Sequence, residues 1–406
     1  MLGLFSSVPA RVLAPLTAAS LLVAGLAACS SDALGTAEPQ TEPSASASPS
    51  ETAEPRVAVR PNVRRKNVPV DKMVALTAEG GTLKSVKVSA PEIGKLDGKI
   101  REQRTRWVAT ERLEPGTTYT VRAVAITPRG TEQQSVQRFR TADLTLDEQT
   151  YASIAPLDGE TVGAGMPVIV SFDVAVTDKA SIEKQMKVSA TPAHDGAWHW
   201  LSDHEAHWRP RNYWQPGTHV EVDVDVNSVP AGAGIFGQES RHISFDIGDK
   251  VVHKINVDSH VMKTYINGGL ARTIPISAGK EGWETRSGTK VIIAKHRRKR
   301  MDATTIGVDK DDPEYYNLAN VEYALRVTYS GEFLHAAPWS VGSQGSNNVS
   351  HGCVGMSTED ARWVYDLTRR GDIVEVTGSD RWMTLENGYG DWNLPFGEYA
   401  AGSALR

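Results

Sequence analysis

Three short segments of this chain recur 100 or 101 residues later, and this internal repeat constrains the fold more than any other feature. In each copy a Pro-Gly-Thr segment leads into a run of alternating character, at residues 119–124 and again at 220–226. Alternation with a period of two after a Pro-Gly turn is typical of half-buried β-strands. The recurring pairs are 87–90 (KVSA) with 187–190, Trp107 with Trp208, and 115–117 (PGT) with 216–218.

A unit of about 100 residues with several short strands predicts an immunoglobulin-like β-sandwich. Each copy of the repeat ends in one further short strand, around Phe139 in the first copy and around Phe245 in the second. We therefore predict two successive sandwiches, at residues 66–142 and 143–249.

The second sandwich contains a cluster of tryptophan and histidine residues at 198–208. Asp203, His204 and His207 have a spacing that a metal site can use, because His-x-x-His places both rings on one side of a turn. No further ligand pair with its own spacing follows nearby, so we favour a structural role and predict no metal. The tryptophans expected in the sandwich core, with glycan contact as the alternative, are Trp198, Trp200, Trp208 and Trp214.

The N-terminal segment has the layout of an export signal. Arg11 is the only charged side chain before Asp32, and apolar or small residues fill positions 12–28. A retained transmembrane helix is the alternative, but Pro15 and the many small residues oppose it. We predict a signal peptide at residues 1–28.

The signal ends in Leu-Ala-Ala-Cys at 26–29, which resembles a bacterial lipobox. In such lipoproteins the cysteine is lipidated, so we expect Cys29 to anchor the chain on the outer face of the cell membrane. Residues 29–65 are small, polar and rich in proline, and they predict a disordered tether that reaches into the cell wall. The net charge of −5 gives no sign of nucleic-acid binding.

A third domain, rich in strands, is predicted at residues 250–378. Its one clear helix begins after Ser357, which is an N-cap with Asp360 three positions later. The remaining residues, 379–406, are rich in aromatic side chains and are expected to pack on this domain. The strand-like runs are 251–257, 262–266, 272–277, 290–294 and 323–329.

Cys353 is the one cysteine that remains free to react, because Cys29 is expected to carry the lipid. An unpaired thiol in an oxidising compartment invites oxidation unless chemistry requires it. The reactive form is the thiolate, which a neighbouring base or cation promotes. His351 precedes the cysteine by two residues and His335 precedes it by eighteen. The helix that follows Ser357 is also expected to favour the thiolate.

The segment HAAPWSVGSQGSNNVSHGCVGMS resembles the catalytic motif of the L,D-transpeptidases, a histidine followed after a loop by Ser/Thr-His-Gly-Cys. The resemblance implies that Cys353 is the nucleophile and that His335 is the general base, oriented by the carbonyl of Ala336. His351 and Gly352 are implied to shape the turn around the thiol. The predicted fold is thus mainly β, with two immunoglobulin-like β-sandwiches before a β-rich L,D-transpeptidase catalytic domain that has one clear helix after the nucleophile.

The sequence departs from the family's motif at one position. Gly355 stands where the family usually has asparagine, so the side-chain amide is missing. The polar stretch 294–321 is expected to be a lid loop, and its basic run at 295–300 is expected to be a solvated face that also attracts anionic substrate. The residues expected to contact substrate are Met301, Tyr316, Ser330, Gly331, Trp339 and Gly355.

The family's chemistry implies cysteine attack on a tetrapeptide donor stem of peptidoglycan, a thioacyl-enzyme, and transfer to the diaminopimelate amine of an acceptor stem. The product is a 3→3 cross-link, and no cofactor is implied. The resemblance also implies that carbapenem β-lactams inhibit the enzyme covalently. Two alternatives stay open: an L,D-carboxypeptidase that uses water as acceptor, and a non-catalytic wall-binding lipoprotein.

Overall fold

Strands predominate over helices in the computed structural model, which describes residues 55–406. The predicted mainly β fold is confirmed. The predicted signal peptide, Cys29 and most of the predicted tether lie outside the described residues. Between residues 55 and 406, no helix is both long enough and apolar enough to cross a membrane.

Eight strands form the first sandwich. They are β1 (Ala58–Pro61), β2 (Ala75–Glu79), β3 (Thr82–Ala90), β4 (Gly94–Leu96), β5 (Gly98–Arg101), β6 (Arg106–Ala109), β7 (Thr118–Ile126) and β8 (Glu132–Arg140). They form two sheets, with orders β1-β2-β6-β5 and β4-β3-β7-β8. The last residues of the predicted tether, 29–65, belong to the first sandwich instead. Val59 of β1 is buried in the sandwich core, because the apolar residues of this segment alternate as in a strand.

The second sandwich follows the same plan and adds a small sheet and a short helix. Its elements are β9 (Gln149–Thr150), β10 (Ala152–Ala155), β11 (Thr161–Val162), β12 (Val168–Phe172), α1 (Lys179–Glu183), β13 (Met186–Thr191), β14 (Gly196–Trp200), β15 (Glu205–Pro210), β16 (His219–Val224), β17 (Pro230–Gly232), β18 (Ile235–Gly237) and β19 (Arg241–Ile247). The sheet orders are β10-β12-β15-β14, β11-β19-β16-β13 and β17-β18-β9.

The two tryptophans of the repeat occupy equivalent places in the two sandwiches. A Cβ on Gly98 would lie 2.2 Å from the ring of Trp107, and a Cβ on Gly196 would lie 2.1 Å from the ring of Trp208. Each tryptophan therefore covers a glycine of the neighbouring strand, and only glycine leaves room for the ring. The repeat in the sequence thus corresponds to one packing arrangement used twice.

The tryptophan and histidine cluster of the second sandwich is structural. The four tryptophans predicted for the sandwich core, Trp198, Trp200, Trp208 and Trp214, are all buried in it, which argues against glycan contact. Asp203 pairs with Lys179 at 2.8 Å, and the Nδ1 of His204 lies 3.0 Å from the carbonyl oxygen of Phe172. Among residues 55–406, no group of three or more His, Cys, Asp or Glu side chains is arranged so that it could hold a metal ion.

Two sheets and one longer helix form the third domain. Its elements are β20 (Val251–Asn256), β21 (Val261–Ile266), β22 (Gly269–Pro275), β23 (Gly288–Val291), β24 (Ala294–Asp302), β25 (Asn317–Arg326), β26 (Phe333–Ala336), β27 (Val354–Met356), α2 (Thr358–Leu367) and β28 (Ile373–Thr377). The sheet orders are β22-β21-β20-β28-β23 and β24-β25-β26-β27. Apolar residues of both sheets and of α2 share one core, and α2 packs on β25 and β26.

The predicted lid at 294–321 is mostly a β-hairpin. β24 and β25 pair from Ala294 opposite Arg326 to Asp302 opposite Asn317, so the prediction of a long loop was wrong. Only 307–316 lacks regular structure, after a 3₁₀ turn at Ala303–Ile306. The charged run was missed as a strand because its cations follow one another without alternating apolar residues. Two of them lie over aromatic rings: Lys295 lies over Tyr365, and the guanidinium of Arg297 lies 3.9 Å from the centre of the Tyr323 ring.

The C-terminal segment 379–406 packs on the third domain, but it also packs on the second sandwich. Asn393 accepts a hydrogen bond from the backbone N–H of Thr289 at 2.8 Å. On the other side, Trp392 donates from its indole to the carbonyl of Gly165 at 2.8 Å. The helix α3 (Phe396–Ala400) packs against β14. We expected this segment to contact the third domain alone, and that expectation missed its contacts with the second sandwich.

A buried ion pair fastens this segment to the second sandwich. His207 and Asp391 are both almost fully buried, and Nδ1 of the histidine lies 2.9 Å from Oδ1 of the aspartate. Glu205 lies 3.1 Å from the other ring nitrogen, and the Tyr399 hydroxyl donates to Asp391 at 3.0 Å. Although burial alone lowers the pKa of His207, the two carboxylates raise it to about 9, so the imidazolium is the resting form at neutral pH.

Asp391→Asn should destabilise the protein by about 3–5 kcal/mol, because it leaves a buried cation without its partner. Since the pKa of His207 is raised from 6.5 to about 9 on folding, its stabilising contribution is complete below pH 6.5 and is lost as the pH rises through 9. The difference in unfolding free energy between wild type and variant, measured by denaturant titration, should therefore shrink over that range. Asp246→Asn is the matched control, since its His219 partner is about half exposed.

Candidate active site

Two short parallel strands bring the histidine and the cysteine of the motif together. β26 and β27 pair so that Leu334 lies opposite Val354 and His335 lies opposite Gly355. Cys353 immediately precedes β27 and therefore lies beside β26. His335 and Cys353 line one cavity of about 280 Å³, here called the His335 cavity. Its other lining residues are Met301, Tyr316, Leu318, Trp339, Val349, Ser350 and His351.

His335 has the environment of a neutral base. Its Nδ1 lies 2.8 Å from the carbonyl oxygen of Ala336, the contact that the resemblance implied. Because a carbonyl only accepts hydrogen bonds, Nδ1 carries the proton and Nε2 keeps a free lone pair. Burial lowers the pKa of His335. The imidazole is therefore neutral, and it is further held by stacking on Trp339, 5.9 Å away between ring centres.

Cys353 is half-buried and its thiol is neutral at rest. Its Sγ lies 3.6 Å from the carbonyl oxygen of Gly331, to which the thiol donates. Burial raises the pKa of the thiol to about 12. The expectation that a helix N-terminus promotes the thiolate was wrong, because β27 stands between Cys353 and the start of α2 at Thr358. A base would therefore have to take the proton before this sulfur could act as a nucleophile.

The turn before the cysteine is fixed by hydrogen bonds on both sides. Gly352 has a φ of +112°, a conformation that strains any residue with a Cβ. Ser350 accepts from the backbone N–H of Gly352 at 3.1 Å and donates to the carbonyl of Cys353 at 2.6 Å. The hydroxyl of Thr285 donates to the carbonyl of Gly352 at 2.9 Å. The thiol is thus presented by a turn that has little freedom.

His351 connects this turn to the loop 307–316. Its Nε2 lies 2.6 Å from Oε2 of Glu314, and the same carboxylate oxygen accepts from Nζ of Lys280 at 2.6 Å. The imidazole also lies between two aromatic rings, 4.9 Å from Trp283 and 5.0 Å from Tyr316. These contacts fit the predicted role of His351 in shaping the site. Thr285 and Glu314 were missed, because nothing in their local sequence distinguishes them.

Gly355 fits its surroundings without the family's asparagine. Its backbone exchanges two hydrogen bonds with Ser277, each 2.9 Å long. A Cβ at this position would lie only 2.8 Å from the Cβ of Ala337. Ala337 therefore fills the space that a side chain at this position would enter.

Cys353 also lines a second cavity, of about 180 Å³, here called the Gly331 cavity. Of the basic run, only Lys299 and Arg300 line it. Lys295 instead donates to the carbonyl of Tyr365 at 2.7 Å, so it is held away from the site. The other lining residues are Met301, Asp302, Thr305, Ile306, Tyr316, Arg326, Tyr329, Ser330, Gly331 and Phe333. Each predicted substrate contact except Gly355 thus lines one of the two cavities.

Two family models and several known proteins match this chain. The family model of the bacterial Ig domain matches residues 65–230, and that of the L,D-transpeptidase catalytic domain matches residues 250–376. L,D-transpeptidase 2 of Mycobacterium tuberculosis (strain CDC 1551 / Oshkosh) is 36% identical over 340 residues, 83% of this chain and 82% of that protein.

Two further similar proteins span different shares of the chain. L,D-transpeptidase 5 of M. tuberculosis (strain ATCC 25618 / H37Rv) is 32% identical over 359 residues, 86% of this chain and 77% of its own. Among solved structures, LD transpeptidase LdtMt1 in complex with imipenem aligns with a TM-score of 0.49 and 34% identity, over 56% of this chain and 98% of that one.

Glu314→Gln should loosen the loop 307–316, because it removes the charge that binds both His351 and Lys280. These groups are partly exposed, so we expect amide hydrogen exchange in the loop to accelerate by roughly threefold to tenfold. The rate at which a bulky maleimide reacts with Cys353, relative to the rate of a small maleimide, should also increase in the variant. Asp311→Asn, a change to an exposed carboxylate of the same loop, should leave both measurements unchanged; equal effects of the two variants would contradict the prediction.

Proposed function

Because the chain belongs to the L,D-transpeptidase family, we propose that Cys353 is its nucleophile and His335 its general base in the cross-linking of peptidoglycan. The enzyme is an acyltransferase, and the donor is proposed to be a tetrapeptide stem. The pairing of β26 with β27 supports these roles, since it places a neutral imidazole beside a neutral thiol in one cavity.

The proposed reaction begins with proton transfer from the Cys353 thiol to Nε2 of His335. The sulfur attacks the carbonyl between the third and fourth residues of the donor stem, and backbone N–H groups of the motif turn, that of Cys353 among them, stabilise the tetrahedral oxyanion. The imidazolium then returns its proton to the leaving amine, and D-alanine departs. A thioester between the stem and Cys353 remains.

The second half of the reaction consumes the thioester. The side-chain amine of diaminopimelate on another stem attacks the thioester carbonyl, loses a proton to His335 and forms the amide of a 3→3 cross-link. The sulfur leaves as a thiolate and recovers a proton. Transfer rather than hydrolysis is supported by one observation above all: the thiol lines both the His335 cavity and the Gly331 cavity, so two stems have separate approaches to it.

We propose that carbapenems inactivate the enzyme by the same attack. The strained amide of a β-lactam accepts the sulfur, the ring opens, and the acyl group stays on Cys353. LdtMt1, to which this chain is similar, has been solved in complex with imipenem.

Acylation by imipenem should add the mass of the drug to the peptide that contains Cys353. Cys353→Ala should abolish the adduct, and His335→Ala should slow acylation by roughly a hundredfold to ten-thousandfold, the usual loss when a general base is removed. His351→Ala should have a smaller effect, since that ring shapes the loop. A wild-type enzyme that stays unmodified by imipenem, while a small alkylating reagent still modifies Cys353, would contradict the proposed acylation.

Analysis of the products that the enzyme forms from purified stem peptides, or from the cell wall, identifies the acceptor. Dimers linked 3→3 are expected from the wild type, and none from Cys353→Ala. Tripeptide monomers as the sole product would identify a carboxypeptidase instead, and an unchanged stem profile would identify a non-catalytic wall-binding protein.

We also propose that the chain is a lipoprotein on the outer face of the cell membrane, anchored through Cys29. The lipobox at 26–29 supports this, and the following polar segment would let the folded domains reach the wall. Cys29→Ala should block lipid attachment and leave the signal uncleaved, as judged by palmitate labelling and apparent mass. Normal lipid labelling of the variant would exclude Cys29 as the anchor.

A further inference from the structure

A buried cluster of three charges lies behind the motif turn, and the proposed reaction does not use it. Glu332 and Lys290 are almost fully buried, and Nζ of the lysine donates to Oε2 of the glutamate at 2.5 Å. Arg286 donates to Oε1 from its side chain at 2.8 Å and from its backbone N–H at 3.2 Å. Two cations therefore face one carboxylate. Apolar residues often fill such a place at no loss of stability, so the cluster calls for a functional reason.

The cluster is in contact with both segments that hold the thiol. Glu332 directly follows Gly331, whose carbonyl accepts from Sγ of Cys353. A Cβ on Gly352 would lie 3.7 Å from Cγ and 3.8 Å from Oε1 of Glu332, so the carboxylate lies against the residue before the nucleophile. Arg286 directly follows Thr285, which holds the carbonyl of Gly352. The cluster thus lies against the turn that presents the sulfur.

The charges of this cluster act on the thiol in opposite senses. Beyond the dominant effect of burial, Glu332 raises the pKa of Cys353 and Lys290 lowers it. A carboxylate alone behind the turn would repel both the thiolate and the tetrahedral oxyanion. The remaining charged or titratable groups around the two cavities are His335 on β26, His351 on the motif turn, Tyr316 in the loop, Lys299, Arg300 and Asp302 on β24, Arg326 on β25, and Tyr329 beyond it.

We propose that Lys290 and Arg286 are positioning residues for acyl transfer: they neutralise Glu332 and hold it behind the turn, so that negative charge can form on Cys353. Glu332 in turn fixes the Ser330-Gly331 turn to β23, which places the Gly331 carbonyl that accepts the hydrogen bond of the thiol. This inference rests on the proposed role of Cys353, and it concerns two residues that the catalytic motif does not include.

The test compares the pH dependence of Cys353 alkylation by iodoacetamide in four purified full-length proteins. Lys290→Met removes one of the two cations that face Glu332. The pH profile of Cys353 alkylation should therefore move to higher pH, and the alkylation rate at pH 8 should fall by roughly tenfold or more. Glu332→Gln removes the repelling charge, so its profile should move to lower pH. The double variant Lys290→Met with Glu332→Gln should return close to the wild type. The rate of acylation by imipenem should follow the same order.

Controls separate this electrostatic role from a structural one. Lys254→Met with Glu375→Gln removes a pair of the five-stranded sheet, 3.2 Å long, and should leave both the profile and the acylation rate unchanged. Lys290→Arg, which keeps the charge, should restore the profile. Should Lys290→Met fail to fold, Arg286→Met tests the same direction at a less buried position.

Coincident alkylation profiles for wild type, a folded Lys290→Met or Arg286→Met, and Glu332→Gln would overturn the inference. So would a double variant as slow as Lys290→Met, because the cations would then act other than through Glu332. The outcome is independent of the proposed function: failure of the wild type to react with imipenem would count against acyl transfer, while alkylation would still report the charges around Cys353.

Discussion

The active site depends on the parallel pairing of two strands of four and three residues, β26 and β27. Parallel strands cannot be joined by a tight turn, so the chain must leave one end of β26 and return to the start of β27. That connection, residues 337–353, begins beside His335 and ends at Cys353. A slip of one residue in the pairing would turn the side chains of β27 to the opposite face and change how the turn presents the thiol. The two hydrogen bonds between Gly355 and Ser277 fix β27 from its other side.

Burial then determines how the pair reacts. It raises the pKa of the Cys353 thiol to about 12 and lowers the pKa of His335, so both groups are neutral at rest. A neutral thiol resists oxidation better than a thiolate does. Any charge that forms on the sulfur or on the imidazole must therefore be stabilised by the groups around it. Charges that already lie nearby, such as those behind the motif turn, therefore weigh more here than they would on an open surface.

The sequence predicts the parts of this protein that depend on local pattern. Alternating residues after Pro-Gly turns identify strands of both sandwiches, and the spacing of His335 and Cys353 identifies the motif. It predicts poorly what depends on distant partners. The strand β24 carries too many cations to show alternation, and it is stabilised by Glu322 and by aromatic rings that lie elsewhere in the chain. The contact of His207 with Asp391 spans 184 positions, and neither residue has a local pattern that announces the other.

That distant contact gives the second sandwich a physical connection to the catalytic site. Asp391 is held by His207 of the sandwich, and Asn393, two residues on, is bonded to the backbone of Thr289 at 2.8 Å. Thr289 precedes Lys290, whose ammonium group reaches Glu332 behind the thiol. In the same segment, Asn387 accepts from the backbone N–H of Ser330 at 2.9 Å and so holds the turn that carries the Gly331 carbonyl. The C-terminal segment therefore holds two segments of the active site in place while it is itself bound to the second sandwich. Through this segment the second sandwich helps to position the active site.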